Sequence, residues 1–113
     1  MLNEFYQEIG GDYADIAKRI PDDEMILRFL AKFRQDESYQ NLKAALSNED
    51  YTAAFFAVHT LKGVAQNLSL SKLSKAASEL TEALRDHPAP PPEALVLAVD
   101  REYAAVHSAM ELL

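Results

Sequence analysis

The chain has 113 residues, with 11 Lys or Arg against 18 Asp or Glu, so its formal net charge is −7. Its 49% apolar and 26% charged residues are typical of a folded globular protein, and the length predicts one domain, 1–113, with one core. The acidic charge argues against nucleic-acid binding, which needs a basic surface. The absence of cysteine excludes disulfides, thiol catalysis and thiolate metal sites.

The chain also lacks the sequence signals of membrane insertion or export. Its apolar runs fall far short of the roughly 20 residues that span a membrane. The first ten residues carry acids and no basic segment, unlike a secretion signal. We therefore expect a cytoplasmic protein that does not bind membranes.

Apolar residues at helical spacing predict two short helices at the N-terminus. The first ends at Gly10-Gly11, a typical C-cap, and the second begins with Asp12 as its N-cap. A longer helical pattern covers residues 22–46, but its apolar stripe changes sides. Either one helix meets different neighbours at its two ends, or the chain breaks near Asp36. We favour one long helix.

The remaining sequence predicts three more helices. They cover residues 51–68, a segment that begins after Ser71, and a final segment that starts at Pro92 after the proline-rich connector 88–92. No stretch has the alternating β-branched residues of a strand. We therefore predict an all-α fold, an antiparallel four-helix bundle with an N-terminal capping helix. Tyr39, Leu42 and Leu46 are expected in its core.

The helix over residues 51–68 has an apolar face opposite His59. On a helical wheel that face consists of Ala54, Ala57, Leu61, Val64, Ala65 and Leu68. His59 is therefore predicted to point to solvent. The residues within about 60° of it are Thr52, Phe55, Phe56, Lys62, Gly63 and Gln66.

Two features of this outward face are unusual for the solvent-exposed side of a helix. A mid-helix glycine costs roughly 1 kcal/mol relative to alanine, yet Gly63 lies one turn after the histidine. It serves either close helix packing or access to the ring, and its outward position favours access. Phe55 and Phe56 lie beside the histidine and suggest a surface that a partner covers. Alternatively, one or both pack under the N-terminal helix, and for Phe56 the two alternatives stay open.

The chemistry of this face suits a nucleophile. Imidazole in water has a pKa of about 6.5 and is mostly neutral near pH 7, so a ring nitrogen at His59 can attack phosphorus without another base. Lys62 places an ammonium beside the ring, where it can attract phosphoryl oxygens. The sequence has no phosphate-binding glycine loop and no Mg²⁺ carboxylate set near His59. We therefore expect no autonomous kinase activity, no cofactor of its own, and phosphoryl exchange with another protein.

The motif His59-Thr60-Leu61-Lys62-Gly63, followed by Asn67-Leu68 and Leu73, resembles the histidine-containing phosphotransfer (HPt) family. The resemblance covers nearly the whole chain. It implies a four-helix bundle whose outward histidine is phosphorylated at Nε2. It also implies a shuttle between receiver-domain aspartates in a two-component phosphorelay.

By the same resemblance, His59 is the phosphorylated residue, Lys62 its charge partner and Gly63 the access point. The partners are receiver domains of response regulators and hybrid sensor kinases, which bring the Mg²⁺. We expect a monomer, and Thr52, Phe55, Phe56 and Gln66 are the candidate partner-binding residues. The alternative function is a bundle that binds receiver or kinase domains without phosphotransfer. The compact ends favour a stand-alone protein or a neatly bounded domain over a fragment of a sensor kinase.

The sequence departs from the family pattern at two positions. Val64 replaces the usual serine or alanine, which we interpret as a packing change, and Ser69 replaces a usual second glycine. The family often places a polar side chain of the following helix near the ring, and Ser74, Ser78 and Thr81 are the candidates.

The remaining polar residues suggest no further site. His87 is expected in a solvated turn and His107 at the edge of the core, and three dispersed histidines make a metal site improbable. Lys72 and Lys75 are possible supplements to Lys62. The acidic residues of the fourth helix are interpreted as a solvated face: Glu79, Glu82 and Asp86.

Overall fold

Helices form throughout the chain wherever apolar residues recur every three or four positions. The computed structural model describes residues 1–86 and 88–113, so the prediction for His87 lies outside the described residues. In those two ranges there is no strand, which confirms the all-α class. The α-helices are α1 Leu2–Glu8, α2 Tyr13–Arg19, α3 Asp23–Arg34, α4 Ser38–Ser47, α5 Tyr51–Asn67, α6 Ser71–Leu84 and α7 Glu93–Ala109, with a 3₁₀ turn at Met110–Leu112. None of the described helices is long and apolar enough to cross a membrane.

Aspartates set the start of three helices. The carboxylates of Asp12, Asp22 and Asp50 accept the backbone N–H groups of Asp15, Glu24 and Ala53. Each bond pairs one of the amides that the first helical turn leaves without a partner. The predicted N-cap at Asp12 is confirmed, while Pro92 precedes α7 by one residue and is its N-cap.

The prediction of one long helix over residues 22–46 is wrong, because the chain breaks near Asp36. The amides of Gln35 and Asp36 bond the carbonyls three residues earlier, at 3.0 Å each, and close α3. The Asp36 carboxylate then accepts the Ser38 amide at 2.9 Å. Such local side-chain bonds compete with helical ones. The change of sides in the apolar stripe marks this break.

Helix α5, which carries His59 and is called the site helix below, packs against both α4 and α6, and α6 packs against α7. On α4, Leu42 is fully buried, and Tyr39 and Leu46 are partly buried against the core, which agrees with the predicted core group. Tyr39 stacks on Tyr103 of α7 with ring centroids 3.9 Å apart, and its hydroxyl donates to Asp100 at 2.6 Å. These contacts join α4 to α7.

The C-terminal end of α5 is closed by a left-handed residue. Ser69 has φ +55°, and the amides of Ser69 and Leu70 bond the carbonyls of Gln66 and Ala65. This is the Schellman arrangement, in which glycine is usually favoured. Here the serine hydroxyl donates to Asp15 at 2.6 Å and accepts from Arg19 at 2.8 Å.

The N-terminal segment also reaches the last carbonyls of α5. The Tyr6 hydroxyl donates to the Leu68 carbonyl at 2.8 Å in a buried position, and Arg19 donates to the Asn67 carbonyl at 2.9 Å. Burial of the Tyr6 hydroxyl raises its pKa above the ordinary value for tyrosine. Because these carbonyls have no helical partner, α1 and α2 stabilise the end of the site helix.

Tyr6→Phe is expected to lower the free energy of unfolding by about 1–3 kcal/mol, because the buried Leu68 carbonyl loses its donor. Chemical denaturation measures this loss. Tyr13→Phe is the matched control, since the Tyr13 hydroxyl donates to Asp23 in an exposed position and its removal should cost less. Equal denaturation midpoints for the two variants would contradict the anchoring role of Tyr6.

Candidate functional site

His59 lies in the middle of α5 and its side chain is exposed, as the helical wheel predicts. The opposite face is the core side of α5. Ala54, Leu61, Ala65 and Leu68 are buried, and Ala57 and Val64 are partly buried against the core. Val58, which the wheel did not assign to the core, is also fully buried. Burial of both Val58 and Leu61 fixes the rotation of α5, and that rotation turns the imidazole outward.

Gly63 leaves the approach to the ring open. A Cβ atom built on it would meet no heavy atom of the described residues within 4 Å. This finding argues against close helix packing, since a packed neighbour would lie within that distance. The absent side chain therefore exposes α5 backbone one turn after His59.

Phe55 and Phe56 differ in their surroundings. Phe56 is 62% exposed and so does not pack under the N-terminal helix. Phe55 is partly buried, and its ring lies parallel to that of His59, with centroids 5.8 Å apart and planes at 3°. It also meets Phe56 edge to face at 5.5 Å. Phe55 thus supports one side of the imidazole, and Phe56 extends an apolar surface into solvent.

The candidate partner-binding residues line two separate grooves. Thr52, Phe55 and Phe56 share a groove of about 410 Å³ with Leu84 and Arg85 at the end of α6. Gln66 lies in a second groove, also of about 410 Å³, that has a polar lining. That lining includes Asp15, Ser69, Ser74, Lys75, Ser78 and Glu79. A partner that contacts all four predicted residues therefore spans the face from one groove to the other.

The three α6 candidates for a ring contact lie in different environments. Ser74 and Ser78 are partly buried in the groove that contains Gln66. Thr81 is fully buried, and its hydroxyl donates to the Ala77 carbonyl at 2.7 Å. Thr81 therefore faces the core rather than the imidazole.

Sequence reasoning missed an ion pair of α6 beside the site. Arg85 binds the Glu82 carboxylate through Nε at 3.1 Å and Nη2 at 3.2 Å, and its guanidinium carbon lies 5.2 Å from the Phe55 centroid. The hydrogen bonds from Arg85 lower the pKa of Glu82 most, and the positive charge of Lys62 contributes less. The interpretation of Glu82 as merely solvated is therefore incomplete. The sequence indicates this ion pair only through the spacing of three residues between Glu82 and Arg85.

The other polar candidates lie away from this pair. The Lys72 side chain runs beside Gly10, and Lys75 lines the groove that contains Gln66. His107 is partly buried beside Tyr103, with ring centroids 4.5 Å apart, as expected at the edge of the core. Burial lowers the pKa of His107, and the charge of Arg34 lowers it further.

The structure thus presents a histidine to solvent on a helical domain, with Phe55 stacked on one side and open space at Gly63 one turn later. The Hpt domain family model matches residues 24–109, about three quarters of the chain. The chain therefore belongs to the Hpt domain family. The match spans nearly all of α3 to α7, and α1 and α2 precede it.

Comparison with curated proteins and with solved structures gives no match. Membership of the family implies histidine phosphotransfer in two-component signalling and interaction with receiver domains. Hpt domains are phosphocarriers rather than enzymes proper.

Proposed function

We propose that this chain is a phosphorelay intermediate that takes a phosphoryl group from one receiver domain and delivers it to another. His59 is the carrier, and the donors and acceptors are receiver domains of hybrid sensor kinases and response regulators. The observation that carries the proposal is the exposed imidazole next to the open backbone at Gly63. We propose that the protein acts as a monomer, because a receiver domain can dock on the exposed face of α5 without a second copy of the chain.

The transfer step uses one ring nitrogen of His59. The Nε2 lone pair of the neutral imidazole attacks the phosphorus of an aspartyl phosphate, and the bond between phosphorus and the carboxylate oxygen breaks. The electron pair leaves with the aspartate, while the proton on Nδ1 stays on the ring. The carrier ring becomes cationic and the attached phosphoryl group brings two negative charges. The reverse step on a second receiver completes the relay.

The receiver supplies the Mg²⁺ in this proposal. Its acidic pocket would hold the metal ion, which would offset the charge of the phosphoryl group, and the present chain would supply the nucleophile and a nearby positive charge. An exposed Phe56 and the groove beside Phe55 and Thr52 offer apolar area for a docking receiver. Gln66 lies in the second, polar groove and would offer hydrogen bonds to the same receiver.

We further propose that α4 to α7 form an antiparallel four-helix bundle, with the N-terminal helix covering one end. The contacts of α5 with α4 and α6, and of α4 with α7, support this arrangement. The bond from Tyr6 to the Leu68 carbonyl supports the covering role. The bundle would hold α5 rigid while a receiver docks.

A phosphotransfer screen against the receiver domains encoded in the same genome tests the relay. Each receiver is phosphorylated, mixed with the chain, and the label is followed in both proteins. We expect an acid-labile, base-stable label on the chain and its passage to a second receiver. Labelling that stops at the chain with every receiver would contradict a relay.

Lys62→Ala is expected to slow transfer, or to shorten the phosphohistidine lifetime, by about tenfold, since a charged hydrogen bond contributes roughly 1.5 kcal/mol. Stability should change little, because surface charges contribute little to folding. Timed transfer assays and denaturation measure the two effects. Lys32→Ala is the control of equal charge, because Lys32 lies on α3, outside both grooves that the candidate partner-binding residues line. Equal rates for both variants would contradict the role of Lys62.

A further inference from the structure

We propose that Arg85 is a second cationic ligand for the phosphoryl group on His59, and that Glu82 holds it beside the site until the histidine is phosphorylated. Arg85 would stabilise the negative charge of the phosphoryl group. Glu82 would compete with that group for the guanidinium of Arg85. The inference rests on the proposed function, because it concerns the phosphorylated state of the same ring.

The guanidinium of Arg85 lies over the ring of Phe55, which stacks on the imidazole of His59. Its central carbon lies 5.2 Å from the Phe55 ring centroid, and that ring stacks parallel to His59 with centroids 5.8 Å apart. Arg85 also lines the groove that Thr52, Phe55 and Phe56 share. Phe55 therefore contacts both the guanidinium of Arg85 and the imidazole of His59.

The ion pair holds the guanidinium without burying it. Arg85 forms two hydrogen bonds to the two oxygens of Glu82, at 3.1 and 3.2 Å, and both side chains are substantially exposed. Exposed ion pairs are weak and exchange partners easily. A guanidinium suits phosphate recognition because its planar donors fit two oxygens at once.

Phosphorylation changes the balance of charge around this pair. The phosphoryl group brings two negative charges close to Glu82, whose carboxylate also interacts with the positive charge of Lys62. The carboxylate and the phosphoryl oxygens then compete for Arg85. A dianion on the neighbouring ring attracts the guanidinium more strongly than one carboxylate does. Arg85, which contacts Phe55 one turn before His59, and Lys62, nearly one turn after it, would then approach the phosphoryl group from two sides.

The two members of the pair therefore have opposite expected effects on the phosphohistidine. Arg85→Gln removes a cation and should shorten the lifetime about threefold to fivefold, as expected for exposed charges. Glu82→Gln releases Arg85 and removes a repelling carboxylate, so it should lengthen the lifetime by a similar factor. Arg85→Lys should restore part of the loss.

Chemical phosphorylation with phosphoramidate tests this without a receiver. The phosphorus–nitrogen bond of the donor breaks, ammonia leaves with its proton, and the Nε2–phosphorus bond forms on His59. The phosphohistidine lifetime is then measured by phosphorus NMR. Glu102→Gln and Arg101→Gln are controls with the same charge changes, in an ion pair on α7, and should leave the lifetime unchanged. Circular dichroism verifies that every variant is folded.

Opposite shifts in Arg85→Gln and Glu82→Gln, with unchanged controls, support the inference. Any other pattern in these two variants overturns it, including shifts of the same sign, which would indicate a merely structural pair. If the wild-type chain takes no label on His59 from phosphoramidate, the proposed function fails as well. A labelled wild type with an unchanged Arg85→Gln lifetime overturns this inference alone.

Discussion

His59→Gln is expected to abolish labelling by a phosphorylated receiver domain while the protein stays folded. Glutamine has no nitrogen lone pair that can attack phosphorus at neutral pH, so transfer should fall below detection rather than merely slow. The imidazole is exposed and lies outside the core, so the free energy of unfolding should change by less than about 1 kcal/mol. Radiolabel transfer and circular dichroism measure the two outcomes.

Two controls sharpen this result. His107→Gln should keep the label, because His107 lies on α7 beside Tyr103 and not on the α5 face. ATP alone should label neither the wild type nor any variant. Persistent labelling of His59→Gln would place the acceptor elsewhere, and labelling by ATP would show that the chain has kinase activity. Receiver binding without any label on the wild type would favour an interaction module.

The orientation of the site was predictable because it depends on helical geometry and burial alone. The apolar positions of α5 repeat with a helical period, so the residue opposite them must face water. The same reasoning placed Gly63 on the exposed side, where the structure shows open space. The start of α2 at Asp12 was also predictable, because N-capping depends only on neighbouring residues.

The break at Asp36 was less predictable because two physical accounts fit one pattern. A stripe that changes sides arises either from a continuous helix with different neighbours or from an interrupted one. At the break, the amides of Gln35 and Asp36 bond carbonyls three residues earlier, and the Asp36 carboxylate accepts the Ser38 amide. Aspartate forms such bonds in many contexts, so the sequence alone does not decide between the two.

The pair of Glu82 and Arg85 depends on tertiary packing that no local pattern encodes. A glutamate three residues before an arginine on a helix predicts a surface ion pair and nothing more. Its place beside Phe55 results from how α6 packs on α5. The same holds for Ser69, whose left-handed backbone is compatible with serine because Asp15 and Arg19 bond its hydroxyl.

This dependence extends to the helices outside the matched family region. Tyr6 and Arg19 come from α1 and α2, and both donate to carbonyls at the end of α5. The site helix is therefore stabilised at its far end by residues that take no part in the chemistry. Loss of those bonds should lower stability without changing the exposed face on which transfer depends.

Gly63→Glu is expected to block transfer from a receiver domain while the protein becomes no less stable. The added side chain would project into the open space through which a receiver must approach the ring. A displaced reacting atom costs about 100-fold or more in rate. In a helix interior, glutamate is favoured over glycine by roughly 0.5 kcal/mol, so the denaturation midpoint should stay or rise. If the variant is more stable but transfers less, the loss of transfer results from blocked access to the ring and not from unfolding.

Three comparisons decide whether access is the cause. Gly63→Gln has the size of the glutamate without its charge and should block transfer almost as strongly. Gly63→Ala adds a Cβ that meets nothing within 4 Å among the described residues, so it should keep most of the rate. Phosphoramidate is small enough to reach the ring past the new side chain, so Gly63→Glu should still accept its phosphoryl group. If Gly63→Glu takes the group from a receiver at the wild-type rate, receivers do not approach the imidazole over this glycine.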